Sequence, residues 1–339
     1  MIVMTKENMI KAIESKSAFA PSFANSDYED VERLYKKEVL GETVSSDAAK
    51  DKFRVIDYSN WEDLNLFATG VREKKWLRNK TTGETGLFKF PKTEQTGDYW
   101  AEKLAYELCT PLGINIARTE LGTYQGRTGS FSYNVVNQEE YLLEGYVIIG
   151  KVLSFSTDSD VYSRIGVNYN VELIEQVLQE KFIMFLDVFV FDCLIGNTDR
   201  HHGNWAFIID DDRKWLRVSP FYDNGSSLCY LERDERIKLM QKDKRMLEAA
   251  IFTKARSQIG LGDVRPVDHF ILFDYICSKY NLYLKELMQN LSDRIDEKSI
   301  DALLKRFDDN IISANMKVLL KLFVLQRKNK MIEIYNKYK

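Results

Sequence analysis

Asp199, Asn204 and Asp223 are the residues of this chain whose types and spacing can do chemistry. They stand in Ile195-Gly196-Asn197-Thr198-Asp199-Arg200-His201-His202-Gly203-Asn204-Trp205 and, further on, in Asp223-Asn224-Gly225. An Asp, four residues and an Asn, then a second Asp beside a Gly, are the minimal parts for holding a nucleotide's metal ions and steering a hydroxyl onto its terminal phosphate. That chemistry is phosphoryl transfer from ATP with Mg2+.

The elements around these residues are readable. Trp205 to Ile209 is a short apolar run, Asp210-Asp211-Asp212 is a turn signal, and Trp215 to Val218 is a second run. This is the pattern of a β-hairpin. In an antiparallel hairpin the residue entering the first strand lies beside the residue leaving the second, so Asn204 and Asp223 are expected to converge at the open end. Magnesium takes hard oxygen ligands, one or two carboxylates from the protein and the rest from water and phosphates, which suits Asp223 with Asn204. Asp199, a short loop away, is placed to orient or accept the proton of an attacking hydroxyl.

A second group lies upstream. Gly86-Leu87-Phe88-Lys89-Phe90-Pro91 reads as a strand whose alternation puts Lys89 on the opposite face from Phe88 and Phe90, toward phosphates. In the following helix, expected over Asp98 to Leu112, the residues Ala101, Leu104, Ala105 and Leu108 form the buried stripe. Glu102 and Glu107 flank that stripe at similar angles, and periodicity does not choose which of them would hold the lysine. The segment Ala68 to Leu77 is the candidate phosphate-covering loop. It has one glycine, Gly70, and the charges of Arg72, Lys74 and Lys75 in place of a glycine-rich fingerprint.

The chain has 339 residues, 45% of them hydrophobic, enough for two lobes or two to three compact layers. Its 48 basic and 51 acidic residues give a net charge of −3, so no overall field attracts nucleic acid or an anionic membrane. Cys109, Cys193, Cys229 and Cys277 are far apart and read as reduced core thiols. The most apolar stretch, Phe182 to Ile195, is interrupted by Asp187 and Asp192 and is too short to span a bilayer, which with the absence of a signal peptide points to the cytoplasm. Residues 1–50 read as a helical extension of unassigned role and 51–150 as a small strand-rich lobe. Residues 151–339 read as a larger helical lobe carrying the catalytic and metal-binding loops, with helical patterns at Val171–Cys193, Lys238–Ile251, Val267–Gln289 and Ile300–Tyr335. The expected fold class is α+β, a two-lobed protein-kinase-like fold with nucleotide between the lobes.

The runs IGNTDRHHGNWAFI and PFYDNGSSL, with LFKFP, WAEKLAYELCTPLGI and GVREKKWL before them, together resemble the HipA-like kinases over roughly residues 53 to 290. The resemblance implies Asp199 as catalytic Asp, Asn204 and Asp223 as metal ligands, Lys89 as the phosphate lysine and Glu102 as its partner. Glu102 is thereby preferred over Glu107. It also implies an ATP- and Mg2+-dependent serine/threonine protein kinase; several relatives are toxins that phosphorylate a tRNA synthetase. Gly70, Lys74 and His201 complete the expected nucleotide contacts, with His201 also bracing its loop; Arg200 reads as support for the loop or an acidic neighbour, and His269 as an ordinary helix residue. Two departures stand out. Gly70 to Lys80 holds no serine or threonine to be phosphorylated as in those toxins, and residues 1–50 look helical where a toxin has a β-rich domain. A stand-alone kinase without the usual antitoxin contacts is expected.

Two other readings share these residues. The Asn-Thr-Asp-Arg, Asn-Trp and Asp-Asn-Gly runs are also similar to phosphatidylinositol kinases, and Lys317 to Lys330 has the composition of a basic amphipathic helix able to lie on an anionic membrane. A nucleotide-binding module without transfer is the reading from a different class, against which stand competent residue types at every core position.

Overall fold

In the computed structural model the described residues are 52–66, 72–153 and 169–339. The expected helical extension over residues 1–50 lies outside them, as do Gly70 and Thr69.

The N-terminal part is a six-stranded sheet in the order β1-β5-β6-β4-β3-β2, built from β1 (Val55–Asp57), β2 (Glu62–Asp63), β3 (Lys74–Arg78), β4 (Thr85–Lys89), β5 (Thr119–Tyr124) and β6 (Arg127–Tyr133). Only β1 and β5 pair in parallel. The β5–β6 loop is two residues long, and Gln125 (φ 51°) and Gly126 (φ 76°) both take the left-handed backbone of a type I′ turn, which matches strand twist. One face of the sheet is an aromatic cluster of Tyr58, Phe88, Phe90, Tyr124 and Phe131. The other face receives helix α1 (Asp98–Cys109), whose Ala101, Leu104, Ala105 and Leu108 are all buried, as the periodicity predicts. Truncating a buried leucine such as Leu104 to alanine would cost about 2–5 kcal/mol, so this face fixes where α1 sits against β5 and β6.

The second part opens with β7 (Glu140–Glu144), which pairs with β8 (Ala206–Asp210), itself paired with β9 (Trp215–Val218). The β8–β9 hairpin is the one read from sequence. Around it lie α2 (Gly145–Val152), α3 (Val171–Leu178), α4 (Asp187–Ile195), α5 (Asp234–Met240), α6 (Lys244–Glu248), α7 (His269–Tyr280), α8 (Lys285–Arg294), α9 (Glu297–Lys305) and α10 (Ala314–Tyr335). Helix α4 is the core element, buried from Val188 to Ile195 and packed against α7 and α10.

Each of the four long helical patterns is interrupted. The first stops where Gln179 takes a positive φ of 51° and a 3-10 turn intervenes before α4. Two others restart at capping residues, Asp243 accepting from the Arg245 and Met246 amides and Ser313 from the Met316 amide, while Val267–Gln289 breaks between Tyr280 and Lys285. The cations of helix α10 find partners within the protein. Arg327 is fully buried and donates to the Cys193 and Ile251 carbonyls, Lys321 pairs with Glu297 and Asp301, and Lys328 donates to the Ile295 carbonyl. Among the described residues no helix is long and apolar enough to cross a membrane.

Candidate active site

Strand β4 carries Lys89 on the α1 face, where Ser130 is its cross-strand neighbour. Its ammonium donates to Glu102 Oε1 at 2.7 Å and to Asp223 Oδ1 at 3.1 Å, and Ser130 Oγ donates to the other Glu102 oxygen at 3.0 Å. Burial works against this ammonium, but Asp223 and Glu102 outweigh it and hold its pKa above the usual lysine value. Glu107 is elsewhere, paired with Lys103 at 2.6 Å and with Arg306. Lys74 is the register partner of Lys89 on β3, and burial pushes its pKa down, partly offset by Asp223.

The loop bearing Asp199 is hung from the end of α4. Gly196 ends that helix in the left-handed region (φ 63°), and Asn197 folds back to donate from Nδ2 to Asp192 Oδ1 at 3.1 Å while its Oδ1 accepts from the Asp199 amide at 2.9 Å. Arg200 is the hub. Its guanidinium donates to both Asp192 oxygens at 2.9 Å, to Asn224 Oδ1 at 2.7 Å, and to the carbonyls of Asn204 at 2.6 Å and Tyr222 at 3.0 Å. A single nitrogen, Nη1, serves both carbonyls, so the two ends of the hairpin are drawn together at the backbone. His269, the first residue of α7, meets the Asn197 carbonyl through Nε2 at 2.8 Å. Since a carbonyl only accepts, Nε2 carries the proton, and burial holds the ring's pKa down to about 3.

Asp223 itself has a left-handed backbone (φ 56°), which Asp tolerates better than most residues. Burial would raise its pKa, yet Lys89 and Arg72 hold it well below the ordinary carboxylate range. Asp199 goes the other way: burial lifts it, His201 opposes, and the Asp223 charge adds to the lift. A pair of carboxylates pushed apart in this way suits one as a permanently charged ligand and the other as a proton acceptor. Gly225 lies against the Asp98 carbonyl, which a Cβ would meet at 2.7 Å, so this position of the loop needs glycine. Lys74, Lys89, Asp199, His201 and Asp223 line one cleft of about 1120 Å³. Glu102 is buried behind Lys89, and Asn204 is buried beneath the loop with Nδ2 donating to the Asp199 carbonyl at 2.7 Å. His201 accepts from the Gly203 amide through Nδ1 at 3.0 Å.

The family model of the HipA-like C-terminal domain matches residues 66–298. The chain belongs to the HipA-like family. Among curated proteins this HipA-like chain is similar to the serine/threonine-protein kinase CtkA of Helicobacter pylori strain J99, 24% identical over 249 residues, spanning 70% of this chain and 72% of that one. Among solved structures it resembles the Helicobacter pylori proinflammatory kinase CtkA, with a TM-score of 0.69 at 20% identity, covering 84% of this chain and 98% of the other. HipA of Shewanella oneidensis MR-1, in its complex with HipB and operator DNA, superposes with a TM-score of 0.43 at 14% identity, over 80% of this chain and 65% of that one. The fold is the two-lobed α+β kinase-like fold expected, and the enzyme class of this HipA-like protein is phosphotransferase.

Sequence reasoning has Arg200 supporting the loop or an acidic neighbour, and the structure gives that neighbour as Asp192, but the rest of the frame that holds the HipA-like loop was missed. Asp192 was read only as an interruption of an apolar run, and His269 as an ordinary helix residue. The available signal was burial logic: a carboxylate with seven apolar residues around it from Val188 to Ile195 needs a cation, and Arg200 stands nearby in sequence. Asn224 gave no such signal, because its role depends on where the second hairpin strand ends.

Proposed function

We propose that this protein transfers the γ-phosphate of ATP, with Mg2+, to serine or threonine hydroxyls of a protein substrate. The observation that carries the reading is Lys89 held at once by Glu102 and Asp223 on a cleft that Asp199 also lines. Lys89, kept protonated by its two carboxylates, binds the α- and β-phosphates, and Lys74 adds a second cation beside it. His201 contacts phosphate while its Nδ1 secures the loop.

The residues fit magnesium. Asn204 must present its nitrogen to the Asp199 carbonyl, which can only accept, and this leaves Oδ1 as the end that faces a cation, alongside the Asp223 carboxylate. Mg2+ bound there supplies neutralisation of the charge on the phosphate oxygens. Asp199, its proton affinity raised by burial, accepts a hydrogen bond from the substrate hydroxyl and aims its oxygen in line with the γ-phosphate. Phosphoryl transfer needs little covalent chemistry from the protein, so positioning and fixed charge account for most of the rate.

CtkA is named a serine/threonine-protein kinase, which supports a protein acceptor here. The cations of α10 are engaged within the protein, which favours a protein over a lipid acceptor. The test is γ-labelled ATP with Mg2+, offered in separate arms to a protein extract and to phosphoinositide vesicles. Label on phosphoserine or phosphothreonine is expected. Label in lipid would replace the reading with a lipid kinase, and ATP binding with no label in either arm would replace it with a nucleotide-binding module.

A further inference from the structure

Arg72 follows directly on the segment that carries Gly70, and it lines the cleft with Lys74, Lys89 and Asp199. Its Nη2 pairs with Asp98 Oδ2 at 2.7 Å, the Arg72 side chain remaining 18% exposed while the Asp98 side chain is 1% exposed. Among the described residues this is the one ion pair Arg72 makes, and it is made through Nη2 alone. Its charge acts on both Asp199 and Asp223, the carboxylates that mark the end of the cleft where transfer occurs.

Asp98 is built to hold that arginine. Besides Arg72 it accepts from Thr96 Oγ1 at 2.6 Å and from the Lys92 amide at 3.2 Å. It is the first residue of α1, one helical turn before Glu102, so the two carboxylates share a face of the helix. Its carbonyl presses on Gly225, and the neighbouring Gly97 amide donates to the Tyr230 carbonyl at 2.8 Å. Asp98 thus ties Arg72, just ahead of β3, to the helix of the Lys89 partner and to the loop of Asp223.

We propose that Arg72 binds the terminal phosphate of ATP, with Asp98 as the positioning residue that aims its guanidinium. The proposal rests on the kinase reading above. Lys89 and Glu102 serve the inner phosphates, and Arg72 distinguishes a triphosphate from a diphosphate. An arginine suits this task because its planar fork engages two phosphate oxygens while one edge stays on a carboxylate.

The experiment is calorimetric binding of ADP and of a non-hydrolysable ATP analogue, each with Mg2+, to wild type and to Arg72→Gln, Arg72→Lys and Asp98→Asn. Arg72→Gln is expected to weaken the triphosphate about 10- to 100-fold, the range for losing a hydrogen bond to a charged group, with ADP affinity within about two-fold. Arg72→Lys keeps a point charge and recovers part of the preference. Asp98→Asn, which retains size and an acceptor for Thr96, shifts the ratio the same way with less effect. Wild type favouring the triphosphate beside an Arg72→Gln variant with the same preference, or with both ligands weakened equally, would overturn the assignment alone. Wild type that binds neither nucleotide would overturn the kinase reading beneath it.

Discussion

Replacing Arg200 by methionine tests whether the catalytic loop is held by a buried ion pair. The guanidinium is fully buried and makes five hydrogen bonds, two of them to Asp192. Methionine fills similar space but leaves the Asp192 charge without its cation, and breaking a buried pair from one side costs about 3–5 kcal/mol. The carbonyls of Asn204 and Tyr222 also lose a donor, at about 1 kcal/mol or more each before relaxation. A total of about 5–7 kcal/mol at roughly 2–4 °C per kcal/mol lowers Tm by about 10–30 °C. Activity falls further than folding does, because the hairpin ends no longer converge and misplacement by about 1 Å costs on the order of 10²-fold. The assay is thermal unfolding followed by kcat/KM well below the variant's Tm. Adding Asp192→Leu removes the orphan charge, so the double variant recovers much of the stability without the activity. A single variant within about 1 kcal/mol of wild type, or a double variant with full activity, would refute the argument.

Glu102→Gln lowers kcat/KM for ATP about 10- to 100-fold, whereas Glu107→Gln, away from Lys89 and leaving Lys103 paired with Glu120, keeps near-normal activity; equal losses would show that the lysine partner is misassigned. Asp223→Asn keeps a residue that tolerates the left-handed backbone, so Tm stays within a few degrees of wild type while transfer drops about 10³-fold, and chelation of Mg2+ gives the same loss without unfolding the protein. His269 sets an acid limit. Its pKa is about 3 in the fold against about 6.5 unfolded, so below pH 6.5 the unfolded chain binds the extra proton. The stability it contributes is complete above pH 6.5 and is lost as pH falls toward 3, with a slope of up to about 1.4 kcal/mol per pH unit. His269→Gln, which can still donate to the Asn197 carbonyl, flattens that slope in urea unfolding at pH 5 and 7; an unchanged slope would contradict the assignment.

The hairpin was legible because its two apolar runs and triple-Asp turn are local, and local signals survive without tertiary knowledge. The α1 stripe was legible for the same reason, through its 3.6 period. What periodicity left open between Glu102 and Glu107 is decided by β6: Ser130 lies beside Lys89 across the ladder and draws Glu102 to the same point. No sequence window contains that register. The helix breaks at Asp243 and Ser313 were present as capping residues, but the apolar pattern runs past them and masked the stops. His269 and Asn224 join the site only through contacts with residues 72 and 24 positions away.

The account stands most directly on Asp199→Asn. The expected result is a variant that binds Mg2+ and ATP with an affinity close to wild type, yet transfers the γ-phosphate to protein at a rate about 10³-fold lower, since an amide cannot take up the hydroxyl proton. Transfer within about ten-fold of wild type would contradict the claim that the Asp199 loop, and the cleft it lines with Lys89 and Asp223, is where phosphoryl transfer takes place.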